Sequence, residues 1–219
     1  MRFFKTDEGE YGYGDEFLGV RVPQVRSVVR RHWECCDSAV VRELISSRYH
    51  EVRLSALLIL VRRYRWAEKH DLELADAVVD FYLRHTCWIN SWDLVDLSCY
   101  EVLGRWVQAD LSRSVVLYEL AHSKNMWEQR IAIVSTLQLI RHGEFDCACE
   151  IADILLMNEH DLVRKAVGWM LREVGKRDRR LLEAYLKPRY GQMPRTMLRY
   201  AIERFPKSRR MRYLSGGIR

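Results

Sequence analysis

Proline placement is the feature that most limits what this chain of 219 residues can fold into. Its four prolines are Pro23, Pro188, Pro194 and Pro206, so the long segment between the first two contains none, and glycine is absent from 20 to 103. Turns and hairpins depend on these two residue types, whereas helices exclude them from their interiors. The chain is therefore predicted to be all-α.

Hydrophobic periodicity supports this prediction. Leu57, Leu60, Val61 and Tyr64 follow the i, i+3, i+4, i+7 spacing of one helix face, and no segment sustains a period of two. Helices are predicted over 24–33, 38–47, 50–66, 71–86, 92–107, 111–122, 126–141, 145–157, 160–175, 178–186 and 194–204. Asp37, Asp110 and Ser123 are predicted to start helices, and Gly143 and Gly175 to end them. Residues 1–23, rich in Gly, Asp and Tyr, are predicted to be an ordered N-terminal loop.

Three helical segments also resemble one another. "HEVRLSALLIL", "MWEQRIAIVST" and "DLVRKAVGWML" share a polar start and an apolar stripe through Ala56, Ala132 and Ala166. Their separations are 76 and 34 residues. If 76 residues correspond to two units of 38, the spacing is close to that of two-helix repeats, which run about 34 to 47 residues. The fold class predicted is a superhelical solenoid of stacked antiparallel helix pairs over 1–219, one domain, with a concave basic face suited to an elongated partner.

The positive charge is concentrated at one end. Lys and Arg total 36 against 30 Asp and Glu, but residues 160–219 alone hold 17 basic and 5 acidic residues. Arginine provides 29 of the 36 cations, and its planar multidentate donors suit phosphate. A polyanion is therefore the predicted partner of 160–219, the alternative being a solvated helix face.

The cysteines and the termini exclude several classes of protein. The six cysteines form no Cys-x-x-Cys pair and the histidines lack metal-ligand spacing, so free thiols and no metal site are expected. No apolar run approaches the roughly 18 residues of a membrane span, and the N-terminus turns acidic too early for a signal peptide. A cytoplasmic protein is expected.

Four residues could carry chemistry. Trp92 and Asp96 in "INSWDLVD" lie one turn apart on one helix face and could serve a cationic reacting group. The alternative is a core Trp92 with Asp93 or Asp96 capping the helix or ion-paired, Asp93 being the better candidate for capping. Arg130, in an apolar stripe, needs either a phosphate or an internal carboxylate. Trp169 follows Gly168, a mid-helix glycine that implies close approach of a ligand or another backbone.

Five strings carry a resemblance to a known family. "RFFKTDEGEYGYGDEFLGVRVP", "INSWDLVDLS", "MWEQRIAIVSTLQLIR", "VRKAVGWMLREVGKRD" and "MPRTMLRYAIERF" occur in order over nearly the whole chain. Together they resemble the landmarks of the AlkD-like DNA alkylation repair glycosylases. The resemblance implies a HEAT-like solenoid that acts as a monomer on double-stranded DNA, removes cationic alkylpurines such as 3-methyladenine and 7-methylguanine, and needs no metal or other cofactor.

The same resemblance implies roles for individual residues. Asp96 would be the catalytic carboxylate, Trp92 and Trp169 the paired aromatic surfaces, and Arg130 the partner of a phosphate or of that carboxylate. Phosphate contacts are expected from Lys165, Arg172, Lys176, Arg177, Arg179, Arg180, Arg195 and Arg199. Two other functions stay open: a non-catalytic helical module that binds DNA by shape and backbone charge, and a protein-binding scaffold.

Overall fold

The computed structural model describes residues 4–218, and their regular secondary structure is helical. No β-strand occurs among the residues it describes, where the one extended pairing is an isolated bridge between Glu16 and Tyr49. The chain divides into two compact units, Met1–Trp106 and Val107–Arg219. The all-α prediction is confirmed, and the assignment of 1–219 to one domain stays a prediction.

The first unit is built around one long central helix. Its helices are α1 (Val22–His32), α2 (Ser38–Ile45), α3 (His50–His70), α4 (Leu72–Arg84) and α5 (Trp92–Ala109), of which α5 extends past the end of the unit. The α3 helix packs against α1, α2 and α4 and buries residues on most of its circumference. Leu54, Leu57 and Tyr64, each at most 2% exposed, therefore form the middle of this core.

The second unit is centred on α10 in the same way. Its helices are α6 (Val115–Ala121), α7 (Met126–Ser135), α8 (Leu137–Arg141), α9 (Asp146–Ile154), α10 (Asp161–Arg177), α11 (Arg179–Leu186), α12 (Arg195–Ala201) and α13 (Lys207–Ser215). The α10 helix packs against α7, α11 and α12. Val163, Val167 and Met170 are fully buried on it, so α10 supplies the centre of the second core.

Every predicted helix is present, with three differences. The segment 126–141 divides at Thr136 into α7 and α8, and 111–122 begins as a 3-10 turn before α6. The α13 helix was not predicted, because only Tyr213 among its residues is buried and its sequence has no apolar stripe. Ala56, Ala132 and Ala166 are all fully buried, which agrees with a shared role for the three similar segments.

Helix boundaries follow local hydrogen bonding. The carboxylate of Asp37 accepts from the Val40 amide, and Asp110 accepts from Ser112, so both predicted starts are confirmed. The prediction for Ser123 is wrong, because the side chain that caps α7 is that of Asn125. Gly143, with φ of +88°, follows α8 as predicted.

Gly168 marks a tight crossing of α10 and α12. A Cβ on Gly168 would lie 2.5 Å from the carbonyl oxygen of Met197 and 2.5 Å from the Cβ of Tyr200. Another backbone therefore accounts for this mid-helix glycine. Gly175 was predicted to end a helix, but α10 continues to Arg177, since Gly175 instead makes room for Leu182.

Other expectations concern bonding and membranes. All six cysteines are free thiols, of which Cys99 and Cys147 are buried while Cys35 and Cys87 are exposed. Residues 4–218 contain no group of three or more His, Cys, Asp or Glu side chains arranged to hold a metal ion. Within the same range, no helix combines the length and the apolar character needed to cross a membrane.

Candidate active site

Trp92, the first residue of α5, is held by aromatic side chains of the N-terminal loop. Its indole Nε1 donates to the hydroxyl of Tyr11 at 3.2 Å, and its ring stacks on Phe4 with centroids 5.8 Å apart. Phe4 in turn stacks on Phe17 at 4.9 Å. Because Trp92 remains partly exposed while its edge is fixed, its ring is held in one orientation at the start of α5.

Asp93, the next residue, is committed to internal partners. One carboxylate oxygen accepts from the Ser91 hydroxyl at 2.7 Å, and the other lies 2.8 Å from Nε2 of His50. Asp93 and His50 are both buried, at 7% and 2% exposure. Capping was the role favoured for Asp93, with an ion pair as the other expectation; its carboxylate forms the ion pair, with His50.

His50 carries positive charge at neutral pH because it lies between two carboxylates. Its Nδ1 is 3.3 Å from Asp15, and its Nε2 contacts Asp93. Burial alone would lower the pKa of His50, but its hydrogen bonds to Asp15 and Asp93, together with their charges, raise that pKa to about 9. The imidazolium thus donates through both nitrogens and links the N-terminal loop to α5.

Asp15 has a second cation beside it. Arg53 donates from Nη2 to the Asp15 carboxylate at 2.7 Å, and both side chains are buried. Burial favours the neutral form of Asp15, yet the His50 hydrogen bond and the Arg53 charge outweigh it and hold the pKa of Asp15 below its ordinary value. Asp15, His50, Arg53 and Asp93 therefore form one buried network of alternating charge, named here the His50 network.

Glu51 completes the attachment of the loop. Its carboxylate accepts from the backbone amides of Leu18, Gly19 and Val20 at 2.9, 2.9 and 3.2 Å. These three amides precede α1, so one buried side chain satisfies donors that would otherwise need water. The N-terminal loop predicted from its composition is therefore ordered from Phe4 onward by contacts to α3 and α5, while its first three residues lie outside the described range.

Asp96 stands one turn beyond Trp92 on α5. The four-residue separation places both side chains on one helix face, and each is partly exposed. The two carboxylates of "WDLVD" therefore differ in environment. Asp93 is buried and hydrogen-bonded to Ser91 and His50, whereas Asp96 is partly exposed one turn from an indole. A carboxylate beside an indole face can stabilise a positively charged group.

The remaining two predicted residues lie in the second unit. Arg130, on α7, is 5% exposed and donates to the backbone carbonyl of Leu162 in the first turn of α10. Trp169, on α10, is partly exposed, and its indole donates to Glu173 at 3.2 Å. Since α7 and α10 pack against each other, they bring Arg130 and Trp169 onto adjacent helices of one core.

Most of the predicted phosphate-binding residues also have carboxylate partners. Lys165 pairs with Asp161, Arg172 with Glu203, Arg179 with Glu183, and both Lys176 and Arg177 with Glu173. Over residues 4–218, no ion pair involves the remaining three, which are all exposed: Arg180, Arg195 and Arg199. Segment charge therefore overstates how many cations the second unit offers to an anion.

Sequence spacing placed Trp92 and Asp96 on one predicted helix face but indicated none of the residues that contact the start of α5. His50 lies 43 residues before Asp93, and Tyr11 lies 81 residues before Trp92. Asp15 in turn reaches His50 across 35 residues, so only folding brings these groups together. The available signal was a histidine at the start of a predicted helix, which alone points to no particular partner.

The chain was compared with solved structures, curated proteins and family models. A solved structure of a predicted DNA alkylation repair enzyme from Enterococcus faecalis is similar, with a TM-score of 0.71, at 18% sequence identity over 90% of this chain and 92% of that one. No match is found among the curated proteins. The family model for DNA alkylation repair enzymes matches residues 1–205. The chain therefore belongs to the DNA alkylation repair enzyme family.

Proposed function

We propose that this protein is a DNA glycosylase that hydrolyses the N-glycosidic bond of cationic alkylated purines in duplex DNA. The observation that carries this proposal is the difference in environment between two carboxylates of α5, those of Asp93 and Asp96. Asp93 is buried against His50, whereas Asp96 is partly exposed on the same helix face as a fixed indole. Membership of the DNA alkylation repair enzyme family supports DNA as the substrate.

The proposed mechanism rests on the charge of the substrate. Alkylation of a purine ring nitrogen makes the base cationic, so the bond from the base to C1′ of the sugar breaks with its electrons leaving on the base. Positive charge develops on the deoxyribose, and Asp96 stabilises it and accepts a proton from the attacking water. The products are the free alkylated base and an abasic site.

The aromatic residues and Arg130 would assist this step. The electron-rich face of Trp92 favours a cationic sugar or base over a neutral one, and Trp169 would serve similarly from the second unit. Arg130, fixed through Leu162, would hold a backbone phosphate. No metal or other cofactor enters the proposal.

Base release from methylated DNA tests the proposal directly. Wild-type protein is expected to release 7-methylguanine from a methylated duplex at low salt, and Asp96→Asn is expected to lose at least about 100-fold of that rate, because one electrostatic or general-base contribution is removed. Asp80→Asn is the matched control, since Asp80 is an exposed carboxylate of the same unit that pairs with the exposed Arg84. Equal rates for wild type and Asp96→Asn would refute the assignment.

The second candidate is a non-catalytic module that binds DNA through backbone charge. The exposed Arg180, Arg195 and Arg199 favour it, because they can contact phosphate without any reaction. Salt-sensitive binding of wild-type protein to duplex DNA without base release would support this function over the glycosylase.

A further inference from the structure

A cavity of about 400 Å³ in the first unit is lined by arginine. It lies between α1, α3 and α5, and its basic residues are Arg26 and Arg30 from α1 and Arg62 and Arg65 from α3. Glu101 of α5 is the one carboxylate in the lining. Four guanidinium groups therefore converge on one opening in the half of the chain where sequence composition indicated no basic surface.

Three of these four cations have no ion pair within residues 4–218. Arg65 forms an ion pair with Glu101: its Nη2 lies 2.7 Å from one carboxylate oxygen, and its Nε donates to the other at 3.0 Å. Over the part of the chain that the structure describes, no carboxylate or other hydrogen-bond acceptor engages the side chains of Arg26, Arg30 or Arg62. The lining thus has a surplus of positive charge with nothing in these residues to balance it.

Such a cluster costs free energy in the absence of an anion. Arg26 and Arg30 are one turn apart on α1, and like charges at this spacing repel each other. Arg62 and Arg65 add a second close pair from α3. An anion that several guanidinium groups contact together would turn this repulsion into charge-assisted hydrogen bonding.

The rest of the lining indicates the kind of anion. Val29, Leu58, Val61 and Leu97 form an apolar floor, and Tyr100 adds an aromatic ring. A fully hydrated inorganic ion would gain nothing from this floor, whereas a phosphate joined to sugar carbon atoms would cover it. The lining therefore matches a phosphodiester better than a free ion.

The cavity also lies close to Asp96. Tyr100 follows Asp96 by four residues on α5, about 6 Å along the helix axis, on the same face. That distance is comparable to the separation of neighbouring phosphates on one DNA strand. A backbone phosphate in the cavity would therefore place the next nucleotides of that strand alongside Asp96.

We propose that this arginine cavity binds a backbone phosphate of the duplex that carries the damaged base, next to the lesion. The inference rests on the proposed function, since the ligand is the substrate DNA. It adds a phosphate-binding site in the first unit, distinct from the arginines of the second unit.

Binding to an undamaged duplex tests the site without requiring catalysis. Fluorescence anisotropy with a labelled oligonucleotide duplex, measured between about 50 and 200 mM salt, gives the dependence of log K on log salt. For the double variant Arg26→Gln/Arg62→Gln, weaker binding is expected, with a salt slope shallower by about 0.9 for each phosphate that is no longer neutralised. Because neither arginine has an ion pair within the described residues, the melting temperature of this variant is expected to equal or exceed that of wild type.

The matched control is Arg31→Gln/Arg42→Gln. Both of these arginines are exposed in the same unit and lie outside the cavity, so this variant should keep the wild-type salt slope. Equal slopes for wild type and Arg26→Gln/Arg62→Gln, or equal decreases in the two double variants, would overturn the proposal.

Two further results separate this proposal from others. Inorganic phosphate and dAMP are tested as competitors. If they bind wild type but not Arg26→Gln/Arg62→Gln, while both proteins bind the duplex equally, the ligand is a small phosphate. The assignment to duplex DNA would then be wrong. Wild-type protein that shows the expected slopes but releases no 7-methylguanine refutes the glycosylase and leaves the phosphate site standing.

Discussion

Raising the pH should weaken the first unit through His50. The pKa of His50 in the folded protein is about 9, against an ordinary value of 6.5. Between these values the folded chain holds a proton that the unfolded chain has released, so stability falls as pH rises through this window. The contribution is complete below pH 6.5 and absent above pH 9.

The magnitude follows from the same two values. A separation from 6.5 to about 9 corresponds to about 3 kcal/mol of unfolding free energy. His50 is 2% exposed, so solvent screening does little to reduce this contribution. Such a decrease is a large share of the roughly 5–15 kcal/mol typical of a folded domain.

Urea unfolding at pH 6.5, 7.5, 8.5 and 9.5, followed by circular dichroism, measures the effect. The reference is His50→Gln, which cannot titrate and should be less stable than wild type at pH 6.5. The difference between the two proteins cancels other titrating groups, including the thiols, and should shrink by about 3 kcal/mol over the series. Hydrogen exchange at residues 50–64 would locate the change in α3. A constant difference across all four pH values would refute the reasoning.

Two more predictions concern the second unit. Gly168→Ala should lower the free energy of unfolding by about 2 kcal/mol, because the added Cβ would clash with the Met197 carbonyl and separate α10 from α12. Urea unfolding measures this loss, and Gly191→Ala is the control because the space around Gly191 is open. Among the predicted phosphate-binding residues, Arg180, Arg195 and Arg199 are exposed and have no ion pair within the described residues. Replacing these three with glutamine should make the salt slope of duplex binding shallower by up to about 0.9 per arginine, whereas an Arg84→Gln control should leave the slope unchanged.

Local patterns determined how much of the fold could be predicted. Helices with a regular apolar stripe were all found, because the i, i+3, i+4 spacing belongs to one segment and needs no partner. The break at Thr136 was missed, since residues 130–140 are buried on every side and a continuously apolar run has no periodicity to lose. The α13 helix was missed for the opposite reason, with Tyr213 its one buried residue.

The same distinction between local patterns and long-range contacts applies to the candidate site. Trp92 and Asp96 are four residues apart, so sequence spacing alone puts them on one face. The His50 network depends on contacts over 35 to 43 residues, and no local pattern encodes these. The arginine cavity had a local signal in the four-residue spacing of Arg26 and Arg30, but counting charge by long segments concealed it.

The contacts of Glu51 have a consequence for how the first unit assembles. They fasten the chain just before α1 to the start of α3, and the bridge between Glu16 and Tyr49 fastens the same two places. The chain that contains α1 and α2 is thereby a closed loop with both ends secured at one point. Neither helix can open to solvent alone without straining that closure, so residues 16–51 should form and melt as a single cooperative element.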